Sequence, residues 1–134
     1  MGEKKQELSL SMERIKISIG NAIYAGEFYD NEVSVNLMKQ FPLTLHMEND
    51  EKEYFCPMTE KIEGNARATS AIVAGDITVC NSISISIFTS QPVGSTSYVK
   101  IGHISNPSGL EESIVKNGGL VTLDFLEESM IAIA

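Results

Sequence analysis

Along most of the chain, apolar and polar residues alternate with a period of two. "RIKISIG" places Ile15, Ile17 and Ile19 on one face, and "AIYAGEFYD" follows after Gly20-Asn21. Two alternating runs joined by two turn-forming residues predict a β-hairpin. "LTLHM" and "EYFCP" predict a second hairpin around the charged turn "ENDEK". "DITVCN" and "SISISIFTS" predict a third, with Ile83, Ile85 and Ile87 set against Ser82, Ser84 and Ser86. "SYVKIGHI" and "LVTLDFLEE" complete a set of about eight short strands, the spacing of a sandwich or a closed barrel.

Two stretches break the alternation with helical spacing. In "DNEVSVNLMKQFP", Val33, Leu37 and Phe41 recur every four residues, Asp30 or Asn31 can cap the start, and Pro42 stops the helix. One apolar face suits a helix that lies over the sheet or plugs one end of it. In "SNPSGLEESIVKNGG", Pro107 suits the first turn, Ser108 with Glu111 fits a capping box, and Asn117-Gly118-Gly119 ends the helix. "MTEKIEGNARATSAIVAG" has no sustained period and is the longest irregular connection. Such a loop either borders a binding site or is a surface excursion.

Composition narrows the setting. A polar tail is expected over residues 1–12 and a single domain over 13–134, a length that allows one hydrophobic core. No apolar run approaches the ~20 residues that span a bilayer. The N-terminus has no apolar signal core, so a cytoplasmic location is expected. Eighteen acidic residues against ten basic give a net charge of -8. That argues against a nucleic-acid backbone partner, which needs a clustered basic face, and against an anionic membrane surface.

The candidate chemistry is sparse. Cys56 and Cys80 lie in apolar strands and read as buried free thiols. With only His46 and His103 beside them, no zinc spacing arises, and neither metal nor cofactor is expected. His46, Glu48 and Asp50 fall on one strand face, at what reads as a solvated hairpin tip. There is no G-x-S-x-G elbow, P-loop or G-x-G-x-x-G. Asp76 reads as a strand-start residue, and His103 as a histidine packed or hydrogen-bonded on its strand.

A family resemblance rests on "IKISIGN", "FYDNEVSVNLMKQFPLTLHM", "EYFCP", "AGDITVCNSISISIFTSQP" and "VKIGHISNPSGLEES", in that order. Together they resemble small bacterial and archaeal cyclophilin-like proteins, a group distinct from true cyclophilins. The resemblance implies a mainly β fold: a closed eight-stranded barrel with a short helix over each open end. In true cyclophilins the prolyl-isomerase groove lies on the outside of the barrel. Where they carry a groove arginine, histidine and tryptophan, this chain aligns Tyr54, Tyr98 and Val93. Prolyl isomerisation has a barrier of ~20 kcal/mol. A tyrosine offers one hydrogen bond in place of arginine's charged fork. Efficient peptidyl-prolyl isomerase activity is therefore not expected.

Phe88 falls on the serine side of its strand. If the isoleucines fill the barrel, its ring faces the exterior groove; if the strand bulges before it, the ring turns into the core. The groove candidates are Tyr54, Phe88, Gln91, Val93 and Tyr98, expected to take a peptide or small-molecule ligand. A weak isomerase and a structural dimerisation subunit are the alternatives, and monomer and homodimer both stay open.

Overall fold

The computed structural model describes residues 12–50, 53–92, 94 and 96–126. Residues 1–11 of the expected tail lie outside these, and Met12 already opens the first strand. In chain order the elements are β1 (Met12–Ile19), β2 (Ala22–Tyr29), α1 (Glu32–Met38), β3 (Leu43–His46), β4 (Glu48–Asp50) and β5 (Glu53–Pro57). Then come β6 (Ala68–Thr69), β7 (Asp76–Cys80), β8 (Ser84–Phe88), β9 (Tyr98–Ile104), α2 (Leu110–Lys116) and β10 (Leu120–Phe125).

One sheet runs β3-β10-β1-β2-β9-β7-β8-β5-β4, with β6 attached to β9. Its two ends, β3 and β4, are separated only by Met47, so the sheet comes back to a single stretch of chain and wraps into a barrel. With β3 and β4 counted as one bent strand and β6 set aside, the ten segments reduce to the expected eight.

The first hairpin forms as read, with Ile19 opposite Ala22 and the positive φ (62°) at Gly20. The second does not. β4 pairs with β5, but β3 pairs with β10, from His46 opposite Leu120 to Leu43 opposite Leu123. The alternation in "LTLHM" reports which face is buried and carries no information on the partner strand. Met47, itself buried, donates its N–H to the Gly119 carbonyl at 2.7 Å where the strand changes partners.

Ile15, Ile17, Ile19, Ile77, Val79, Ile85, Ile87, Val121 and Leu123 fill the barrel. Each such side chain contributes roughly 1.5–3 kcal/mol by leaving water. Ile83 is the exception to its alternating run. It sits exposed in the turn before β8, behind Asn81 and Ser82, whose φ values are 54° and 64°.

The helices close the ends. Asn31 caps α1 by accepting the Ser34 N–H at 2.9 Å, and its amide donates to the Lys100 carbonyl at 3.1 Å, tying the helix to β9. Val33 and Leu37 enter the core. α2 contributes Leu110 and Ile114, but the expected capping box is absent. The cap is Gly109 (φ 74°), and the Ser108 N–H instead donates to the Asn106 side chain at 3.2 Å. That local Asx turn delays the helix start.

Both cysteines are free and only half-buried, and they face opposite sides of the sheet. Cys56 lies against the barrel core and Cys80 against the outer cluster. Among the described residues no helix is long and apolar enough to cross a membrane.

Candidate functional site on the outer face of the barrel

The groove candidates Tyr54, Phe88 and Tyr98 do not share one face. Tyr54 lies opposite Ile87 and therefore points into the barrel, where its hydroxyl donates to Glu111 Oε2 on α2 at 2.9 Å. Burial, then the Glu111 hydrogen bond and charge, push its phenol pKa up. Phe88 lies opposite Glu53 instead, on the other side of the sheet. No bulge turns its ring into the barrel core, yet the ring is fully buried. It packs edge-on against Tyr98, with centroids 5.1 Å apart, and against Ile72 from the long connection. These three form a small apolar cluster outside the barrel, separate from its core. Gln91 is exposed in the loop beyond β8, and Val93 lies outside the described residues.

Beside that cluster runs polar machinery the sequence reading passed over. Glu53 accepts hydrogen bonds from Ser86 Oγ (2.5 Å) and the Tyr98 hydroxyl (3.3 Å). Burial and then the Glu53 charge hold the Tyr98 phenol at a pKa of about 12. Thr78, between Ser86 and Lys100 in register, is fully buried, and its hydroxyl has no hydrogen-bond partner among the described residues.

Asp76, the first residue of β7, is the centre of the site. Its side chain is only 1% exposed, yet it lies on the outer face. Oδ1 is 2.8 Å from His103 Nδ1, while Oδ2 is 3.1 Å from Lys100 Nζ and accepts the Val73 N–H at 2.9 Å. Lys100 and His103 keep side-chain exposures of 28% and 32%, so both also face solvent.

Strict alternation would send Lys100 and His103 to opposite sides of the sheet. A register shift in the β7–β9 pairing brings them together: Gly102 faces Ile77, Lys100 faces Thr78, and Ile101 is the extra residue. A bulge of this kind re-aims side chains and commonly lies beside functional sites. It also requires Gly102, because a Cβ there would come within 2.5 Å of the Glu27 carbonyl and the Phe28 ring.

Glu27 stands opposite His103 on β2, and Tyr29 lies near enough that the Asp76 and Glu27 charges add to burial in raising its phenol pKa. The legible signals were an aspartate opening an apolar strand and a histidine inside "IGHI". The bulge that joins them has no periodic signature.

Other candidates do not assemble. His46 Nε2 contacts the Gly118 carbonyl at 3.0 Å, on the far side of the Met47 break from Glu48 and Asp50. Among the described residues no three His, Cys, Asp or Glu side chains converge to hold a metal ion.

A barrel closed by one bent strand, plugged at each end by a short helix, defines the class. The model of the Cyclophilin-like family matches residues 17–125, and the chain belongs to that family. The solution structure of a hypothetical protein from Archaeoglobus fulgidus is similar, with a TM-score of 0.58 over 87% of this chain and 96% of that one. At 19% identity this likeness speaks for the fold alone. Among curated proteins none matches.

Proposed function

We propose that the protein is a binding module that holds a peptide or small polar ligand on the outer barrel face, around Asp76, Lys100 and His103, without efficient catalysis. The observation that carries this is the buried Asp76 carboxylate on the outside of a barrel. A buried charge adds little net stability even when paired, and titratable clusters of this kind concentrate at functional sites. Its partners stay one-third exposed and can reach a ligand while Asp76 fixes their positions.

The absence of efficient isomerisation rests on the two tyrosines at the cyclophilin arginine and histidine positions. Tyr54 points inward and Tyr98 is engaged with Glu53, so neither phenol is available to a prolyl substrate. The test is an amide-NMR titration with a library of short prolyl and non-prolyl peptides and small polar fragments. Binders are expected to shift Tyr29, Lys100 and His103. Binding confined to the β10-β1 side of the barrel, or no binding across the library, overturns the reading.

A further inference from the structure

We infer that residues 70–75 form a strap occupying the apolar half of this site, with Ile72 standing in for an aliphatic side chain of a peptide ligand. The inference rests on the outer-face reading above and names the ligand class more closely. Ile72 is 1% exposed, while Ala71 is exposed and Val73 is 47% exposed, so this part of the strap buries one side chain between two that face water. That side chain packs on Phe88 and Tyr98, outside the barrel core.

The next backbone N–H, that of Val73, donates to Asp76 Oδ2, the same oxygen that Lys100 approaches. The strap thus fills both halves of the site: an aliphatic group on the aromatic floor, and one residue later an N–H on the buried carboxylate. Every hydrogen bond made by Ser70–Val73 among the described residues stays within residues 69–76. Packing of Ile72 and the Val73–Asp76 hydrogen bonds keep the middle of this segment on the barrel wall, while its end, Gly75, is pinned by its N–H to the Phe88 carbonyl and by its carbonyl to the Ile104 N–H. A short surface segment with few anchoring contacts opens without global unfolding.

A ligand that replaces it must copy its chemistry: an extended peptide with an aliphatic residue followed by one with a free N–H. Proline at that following position is excluded, because it lacks the donor.

Two measurements test this. In the wild-type chain, hydrogen exchange at the Ile72 and Val73 amides is expected to be at least ~100-fold faster than at Ile85 and Ile87, through local opening. The second adds the peptide TSAIVAG, the sequence of residues 69–75, to wild type and to Ile72→Ala. A resident strap lowers the apparent affinity for a competitor by the fraction of time the site is open. Ile72→Ala should therefore bind the peptide at least ~10-fold more tightly than wild type, with shifts at Phe88 and Tyr98. The same peptide with proline in place of its valine should lose binding.

Exchange of the strap amides only through global unfolding overturns the inference. So does equal peptide binding by both chains, or an Ile72→Ala chain that cannot fold. If the strap proves fixed while other ligands still shift Lys100 and His103, the outer-face reading stands and only the strap falls.

Discussion

Asp76 settles which nitrogen of His103 carries the proton. The buried carboxylate accepts at 2.8 Å from Nδ1, so the neutral imidazole presents the lone pair of Nε2. Long-range proton–nitrogen NMR should find the Nδ1–H tautomer in the neutral ring. Asp76→Asn should disturb that preference and cost about 1.5–3 kcal/mol in urea unfolding, the range for hydrogen bonds to charged groups. An unchanged tautomer together with unchanged stability would show that the pair does not orient the ring.

Thr78 offers the opposite sign. Its buried hydroxyl has no partner among the described residues, and valine has nearly the same shape. Thr78→Val should raise stability by about 1 kcal/mol, because an unsatisfied buried polar group is removed. A loss of stability in chemical denaturation would reveal that the hydroxyl is in use.

Tyr98 should make stability fall at alkaline pH. The folded chain holds its phenol proton to about 12, whereas a tyrosine in an unfolded chain releases it near 10.0. A raised folded pKa means the contribution is complete below the unfolded value and is lost as pH rises through the folded one. The decline belongs between these two values and is read by unfolding at stepped pH. Glu53→Gln should lower the phenol's pKa, yet leave it raised, because burial is the larger cause. Phenolate absorbance reports both.

The two sides of β8 should differ in kind. Ile85→Ala should cost ~2–5 kcal/mol and Phe88→Ala ~3–5 kcal/mol, since both are fully buried, one inside the barrel and one outside. Ser84→Ala, on a half-buried outward position, should stay within ~0.5 kcal/mol of wild type. A small effect for Phe88→Ala would mean that its outer cluster adds little to the fold.

A protease-coupled proline-peptide assay should show little acceleration over background. A rate within about tenfold of a true cyclophilin, a difference of ~1.4 kcal/mol in barrier, would overturn the binding-module reading.

Much of the barrel was legible because a strand's inside and outside follow from alternation. Ile15, Ile17, Ile19, Ile85 and Ile87 all point where that rule sends them. Asn31 was legible as a cap because its side-chain chemistry is local. Three features were not. The partner of β3 depends on a change of direction at Met47, and alternation cannot name a partner. Ile72 sits in a segment without periodicity, so nothing local marks it as buried. Lys100 and His103 share a face only because Ile101 is inserted between their pairings, and period two sends them apart. The candidate site thus lies where the regular rule fails.

The bent strand broken at Met47 also limits how anything can join this sheet. Among the described residues, the ends of the sheet path are the four residues of β3 and the three of β4, and the attached β6 is only two residues long. Extended partners that add themselves to a protein by main-chain pairing need a longer run of unpaired N–H and C=O groups, and short terminal segments deny them one. Recognition by strand addition, and edge-to-edge aggregation with it, is therefore disfavoured. A partner of this barrel has to read side chains on its curved wall.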